Sequence, residues 1–423
     1  MWKSREAFEK SVFFKRLKIQ GFDQVTQLWP FLENGTLNSH RTLRLNSLRE
    51  LVLEDLSALG LEIGDSIQKK LSSLEGFAPA AFTFDFDLSK NASFNKHPLW
   101  GAGLAYVQDV TAFEIVKDLD VRPGQWVMDT CAAPGGKSLL IADLLQSAES
   151  QKPSMGWLVS NDFDLKRARI LSNNLIRYGA LRSSVFAKAA TSLCENFKET
   201  FDRILVDAPC SGESLFFKRE DKRRDVYESE VQELAQLQYK ILSSAALSLK
   251  SGGRLVYSTC SYNRSENEEI VAKFLKQNSE FSLLKEERRW PHLNHSAGGY
   301  WAVLEKSGSS QLSSLEFGAA QGAERNGFYS SDSSLNFYAA SMRTGVSSLN
   351  ELWSRSSAGF EDMSDWILMS DEEAVSFLKG EALANHERKR GLHRILWRGK
   401  WPLGVAKGVE SRFNNLLPLE ARY

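Results

Sequence analysis

The chain has 423 residues, 42% of them hydrophobic and 25% charged, which predicts two to three folded domains and excludes global disorder. Lys plus Arg and Asp plus Glu both number 53, so overall charge alone does not hold this protein on nucleic acid, although a local basic groove stays open. No apolar run reaches the roughly 18 residues of a membrane span, and no apolar region follows Met1–Glu6 as a secretory signal would require.

Residues 1–90 mix helical apolar patterns with turns and balance their charges. Residues 1–97 read as a small N-terminal RNA-binding or cap domain. Arg41–Arg49 alternates apolar and polar residues, as a half-buried strand does. From 98 to 306 strands and helices alternate. Trp126–Thr130, Trp157–Asn161, Arg203–Asp207, Arg254–Ser258 and Gly299–Glu305 read as strands. Helices are expected over Ser138–Gln146, Asp164–Tyr178 and Val231–Leu249, the last stopped by Ser251-Gly252-Gly253. Ser265 and Glu268 have capping-box spacing for a helix running to Gln277. This alternation predicts an α/β core with a doubly wound, mostly parallel sheet. Residues 307–334 are rich in Ser and Gly and read as a linker. Residues 335–423 form a C-terminal piece. Its stretch Arg388–Arg412 holds eight Lys or Arg and one acid, Glu410, with Trp397 and Trp401 among them.

Four segments carry chemistry. Asp129-Thr-Cys-Ala-Ala-Pro-Gly-Gly-Lys137 lies between a strand and a helix, where doubly wound sheets bind ligands. Gly135 and Gly136 admit a ligand close to the backbone. The run is neither G-x-G-x-x-G nor a P-loop, and a plain turn would use the same Gly-Gly pair. Asp162 follows the second strand and suits a ribose. Its alternative is a helix cap, a task Asp164 can take instead. Asp207-Ala-Pro-Cys210-Ser-Gly212 and Tyr257-Ser-Thr-Cys260-Ser261 each place a cysteine beyond a strand end, so neighbouring strands would bring Cys210 and Cys260 into one cleft. The remaining cysteines are Cys131 and Cys194, and Cys194 reads as a small buried hydrophobe. None has CxxC spacing, and the six histidines show no ligand spacing. A disulfide scaffold and a metal site are therefore not expected, and a reducing, cytoplasmic setting is.

In that order, C-A-A-P-G-G-K, D-A-P-C-S-G and S-T-C-S resemble the Sun/Nol/Nop family of RNA cytosine-C5 methyltransferases, closest to its bacterial RsmF/YebU-type members that act on small-subunit ribosomal RNA. The resemblance runs from Gly103–Asp109 through Gly298–Lys306. Arg394–Gly404 is similar to the PUA-like RNA-binding tail of the bacterial members. It implies a Rossmann-like methyltransferase core, S-adenosylmethionine as cofactor, and RNA as partner of a monomeric enzyme. Cys131, Ala132, Ala133, Pro134, Gly135, Gly136 and Lys137 would hold the cofactor, with Asp162 on its ribose and Asp207 near its amino group and the target base. Cys260 would be the nucleophile, and Cys210 would assist product release. Two departures stand out. Phe186–Thr191 lacks the acid that often contacts adenine in the family, and Glu213-Ser-Leu follows Gly212 where relatives usually have a second glycine.

The expected reaction is thiolate addition to cytosine C6, which turns C5 into a nucleophile for the methyl group. Lys137 would supply positive charge to the thiolate or orient the cofactor. Asp207, when protonated or hydrogen-bonded, would stabilise the base at N3 or N4, and Cys210 would act as a general base, directly or through water. Lys218-Arg219 and Lys222-Arg223-Arg224 are a second candidate for backbone phosphates beside Arg388–Arg412. The competing expectations are a transfer-RNA enzyme and a catalytically retired ribosome-assembly factor.

Overall fold

The computed structural model describes residues 2–33, 40–46, 83–87, 98–145, 156–180, 183–294, 296–308, 366–397 and 401–415. The expected linker lies outside them from residue 309 onward.

Three short helices open the chain, α1 Arg5–Glu9, α2 Val12–Ile19 and α3 Trp29–Glu33. Ser4 and Ser11 cap the first two, each accepting a backbone N–H three residues on. Trp2, Phe8, Phe13, Phe22, Leu28 and Trp29 from this segment pack with Phe216, Phe217, Val226, Tyr262 and Trp290 of the central region. Each such side chain contributes about 1.5–3 kcal/mol by leaving water, so this packing fastens the segment to the central region.

The alternating stretch near Arg41 is strand β1, His40–Leu45. It pairs antiparallel with β2, Thr83–Asp87, and with β3, Ala105–Gln108. Arg44 is fully buried, donates to Asp143 and lies over the Tyr178 ring. Helix α4, Val110–Leu119, follows β3 and is capped by Asp109.

The central sheet holds seven strands: β4 Trp126–Asp129, β5 Trp157–Asn161, β6 Ser183–Phe186, β7 Phe201–Asp207, β8 Leu249–Thr259, β9 Phe281–Arg289 and β10 Gly299–Lys306. Their order is β6-β5-β4-β7-β8-β10-β9. The first five are mutually parallel, and β10 runs antiparallel between β8 and β9. Strand order reverses beside β4, so the carboxyl ends of β4 and β7 open the crevice where such sheets bind ligands. Helices α5 Gly136–Leu145, α6 Leu165–Tyr178, α7 Ala190–Glu195, α8 Glu228–Ser248 and α9 Glu268–Gln277 complete this layer. Two apolar clusters, around Leu139–Ala142 and around Ile204–Val206, contribute to its core.

The five strands expected in this region are present. Two local expectations fail. Helix α8 stops at Ser248, and Ser251-Gly252-Gly253 lies inside β8, which begins at Leu249. The capping box also fails: α9 starts at Glu268, its N-cap is Asn267, and no side-chain cap bond forms. Residues 261–267 are instead folded by Asn263 and Asn267. Asn263 Oδ1 accepts from Glu266 N at 2.9 Å, and Asn267 Nδ2 donates to Ser261 O at 3.1 Å. Strand β9 was not expected, because its SLLKEERR stretch is an exposed or half-buried edge without a clean two-residue alternation.

At the C-terminal end, β11 Trp366–Met369, β12 Leu383–Ala384, β13 Gly391–Trp397, β14 Trp401–Val409 and β15 Arg412–Asn415 form a separate five-stranded sheet, with helix α10 Asp371–Leu378 beside it. Ser370 and Glu373 cap α10 reciprocally. No helix among the described residues is long and apolar enough to cross a membrane, and they contain no cluster of three or more metal-ligating side chains.

Candidate active site

Strand β4 ends at Asp129, and the turn Thr130–Gly135 leads into α5. The turn is tied down from three sides. Thr130 N donates to Leu205 O at 3.0 Å and Ala132 N to Asn161 O at 2.7 Å. The Ala133 and Pro134 carbonyls accept from Arg167 at 2.7 Å and Asn174 at 2.8 Å, both on α6. Gly135 has φ +114°, a conformation side chains rarely adopt. A Cβ at Gly136 would meet the Gln108 amide nitrogen at 3.3 Å.

Gln108 was not singled out from sequence. It is 7% exposed, and neither of its carboxamide atoms has a partner among the described residues. A buried polar pair of this kind needs a bonding partner, and it stands against the turn expected to hold the cofactor. Asp129 shows a related feature. Burial pushes its carboxyl up to about 7, against the Ser138 hydroxyl bond at 2.7 Å, and its Oδ1 has no partner among the described residues.

Asp162 sits just past β5 and is 3% exposed. Asp164 N donates to its Oδ1 at 3.1 Å, and Arg167 lies 3.3 Å from its Oδ2. Asp164 is the cap of α6, accepting from Arg167 N, as the sequence led us to expect. Arg167 joins Asp162 to the Ala133 carbonyl and is a further residue that sequence reading missed. The stretch after β6 has no carboxylate, and Asn161 holds the Lys188 backbone through both its N–H and its C=O.

The residues present fit an S-adenosylmethionine group. A tight glycine turn, a buried carboxylate beyond the next strand and an unpartnered carboxamide converge on one crevice.

Cys210 follows β7, and Cys260 follows β8 directly. Their sulfurs are 2.9 Å apart, and Cys260 N lies 3.3 Å from Cys210 Sγ. The hydrogen bond from Cys210 lowers the Cys260 thiol below its ordinary range; burial and Asp207 oppose this, while Lys137 and Lys218 reinforce it. The same bond, with burial, raises Cys210 well above its ordinary range. These opposite directions make Cys260 the more acidic thiol of the pair, with Cys210 placed to donate to it. Burial raises Cys131 to about 12 and Cys194 to about 11, which leaves both inert. Cys194 is fully buried, as expected.

Asp207 links the cofactor side to the cysteines. Its Oδ2 accepts from Lys137 Nζ at 2.7 Å and its Oδ1 from Ser258 Oγ at 2.7 Å. Burial acts to lower the Lys137 ammonium pKa, but Asp207 outweighs burial and raises it. Lys137 therefore stays charged beside Cys260.

The run Lys218–Arg224 is largely committed within the protein. Lys218 pairs with Asp109 at 2.8 Å, Arg219 with Asp221 and Arg224 with Glu230. Arg223 donates to the Phe216 and Leu32 carbonyls. Lys218 also lies close enough to act on the Cys260 thiol. Burial acts to raise Asp109, but Lys218 overrides it and holds the carboxyl down at about 2.

At the C-terminal end, Arg390, Lys407, Gly408, Val409, Glu410, Ser411 and Arg412 line a cavity of about 630 Å³. Three cations against one acid make it basic.

Residues 116–304 match the family described as 16S rRNA methyltransferase RsmB/F, and residues 367–423 match the methyltransferase RsmF PUA domain. The chain is 31% identical over 258 residues to a probable ribosomal RNA small subunit methyltransferase B from Bacillus subtilis, covering 59% of this chain and 53% of that protein. It is 31% identical over 270 residues to the ribosomal RNA small subunit methyltransferase F of Erwinia tasmaniensis, covering 60% and 52%. It thus spans about half the length of these curated relatives. Among solved structures, a methyltransferase homolog protein from Pyrococcus horikoshii superposes with a TM-score of 0.54 at 25% identity, covering 70% of this chain and 94% of that one. The chain thus carries, in order, a segment matching the 16S rRNA methyltransferase RsmB/F family, with its two cysteines meeting at the ends of β7 and β8, and a segment matching the RsmF PUA domain.

Proposed function

We propose that the protein methylates C5 of a cytosine in small-subunit ribosomal RNA, as a monomer in the cytoplasm. The observation that carries this reading is the 2.9 Å Cys210–Cys260 contact beside the Lys137–Asp207 pair. A lowered thiol supplies the strong nucleophile that an unreactive aromatic carbon requires.

Cys131–Lys137 and Asp162 would hold S-adenosylmethionine, which supplies an electrophilic methyl group. The Cys260 thiolate forms a bond to C6 of the base, and the displaced electron pair moves towards C5 and N3. Asp207, anchored by Ser258 and Lys137, would accept from the N4 amino group of the base, or stabilise N3 once it carries a proton. After C5 has taken the methyl group its proton must leave before the Cys260–C6 bond breaks. In the resting pair Cys210 is the proton donor. Once Cys260 is bound to carbon its sulfur no longer needs that hydrogen bond. Cys210 can then lose its proton to solvent and take the one from C5, directly or through water.

The base must leave its stack to reach the crevice, at a cost of a few kcal/mol if it is paired. The basic cavity at Arg390, Lys407 and Arg412 supports phosphate contacts by the Arg388–Arg412 stretch. A retired scaffold has no use for a thiolate held this way.

Incubation with methyl-labelled S-adenosylmethionine and either small-subunit ribosomal RNA, intact small subunits or transfer RNA tests the reading. Label in 5-methylcytosine of a small-subunit substrate is expected. Label only in transfer RNA would move the substrate to that class. Cofactor binding without label in any cytosine would favour the retired scaffold.

A further inference from the structure

We propose that Glu266 is a positioning residue that sets the contact between Cys210 and Cys260. Glu266 is fully buried. Its Oε1 accepts from Ser211 N at 2.9 Å and from Gln238 Nε2 at 2.8 Å. Its Oε2 accepts from Ser211 Oγ at 2.5 Å, Ser261 Oγ at 2.8 Å and Asn263 Nδ2 at 2.6 Å. Ser211 is the residue after Cys210, and Ser261 is the residue after Cys260. One carboxylate therefore fastens both cysteine-bearing loops.

The Glu266 backbone is itself pinned. Its N–H donates to Asn263 Oδ1, and its carbonyl accepts from Tyr257 Oη at 2.6 Å. Glu213 adds a second tie, accepting from Tyr262 N at 2.7 Å and from Ser261 Oγ at 3.0 Å. The Ser261 hydroxyl has one proton, so it serves one of these carboxylates at a time. Ser211 therefore hangs on Glu266, while the loop after Cys260 hangs on both acids.

Every contact of the Glu266 carboxylate comes from a donor. A glutamine there is nearly isosteric but puts an NH2 where a carboxylate oxygen accepted; the Ser211 and Ser261 hydroxyls can turn to accept from it, but Asn263 Nδ2 on one side, or Ser211 N on the other, then loses its acceptor. The loops must then shift, and the sulfur contact that lowers Cys260 weakens.

The role rests on the reading of Cys260 as the reactive thiolate, but thiol titration reads the pair whether or not RNA is methylated. The experiment measures the rate of Cys260 alkylation by iodoacetamide against pH, mapped on its peptide, in full-length protein. Wild type, Glu266→Gln, Cys210→Ala and the double variant are compared. Glu266→Gln is expected to raise the midpoint by about one pH unit, towards the value for Cys210→Ala, and to add nothing when Cys210 is already absent. Ser211→Ala, which keeps the backbone tie, is the milder variant should Glu266→Gln fold poorly, and should give a smaller shift of the same sign. An unchanged midpoint in both variants, or an equal shift with and without Cys210, would overturn the positioning role. A shifted midpoint with methylation at the wild-type rate would count against the catalytic reading instead.

Discussion

Replacing Cys260 by alanine is expected to abolish methyl transfer to RNA while leaving S-adenosylmethionine affinity unchanged. The sulfur lies at the end of β8, next to the Cys210 thiol and within the field of Lys137 and Lys218. None of the backbone ties of the Thr130–Gly135 turn involves Cys260. Its loss removes the covalent step alone, and loss of a nucleophile costs on the order of 10⁴–10⁶ in rate. Binding calorimetry with the cofactor, beside single-turnover methylation, separates the two effects. A Cys260→Ala protein that methylates within tenfold of wild type would remove this cysteine from the chemistry.

Arg16→Met is expected to destabilise the protein by about 3–5 kcal/mol, the usual cost of stripping one partner from a buried ion pair. Arg16 lies on α2 and is 7% exposed, and its partner Glu213 is fully buried. Arg16 also donates to Val226 O at 2.7 Å. Without it, Glu213 keeps only neutral donors, from Ser261, Tyr262 and Asn263. The denaturant midpoint should fall, and the Arg16→Met/Glu213→Gln double variant should recover much of the loss because no unpaired charge stays buried. A wild-type midpoint for Arg16→Met would show that the cap is held by its aromatic packing alone. The same carboxylate ties the loop after Cys260, so this pair connects the first helices to the reactive centre.

What sequence reading recovered here was chemistry concentrated at strand ends. Asp129, Asp162, Asp207, Cys210 and Cys260 each stand at or just beyond the carboxyl end of a parallel strand. An apolar run followed by polar or glycine residues marks that place in one dimension. That Asp164 caps α6 was legible as well, since caps act over three residues.

The failures share an opposite cause. The Ser265/Glu268 spacing satisfies a local rule, yet Asn263 and Asn267 fold that segment first. The Lys218–Arg224 run looks solvated until Asp109, a residue of a distant segment, claims Lys218. Arg16 and Glu213 are 197 positions apart, and Ser211 and Glu266 are 55 apart. No periodicity announces such pairs. Glu213 showed only as a departure after Gly212, and its reason became visible once α2 lay against that loop. Gln108 gave no signal either, because a strand glutamine becomes informative only when its burial and missing partners are known.

The most direct test of the two-cysteine account is a covalent trap. Cys210→Ala protein is incubated with small-subunit RNA and S-adenosylmethionine and run on a denaturing gel. The account predicts a protein–RNA adduct that persists after methyl transfer, is linked through Cys260, and is missing from the Cys210→Ala/Cys260→Ala variant. Turnover by Cys210→Ala at the wild-type rate, with no adduct, would contradict it.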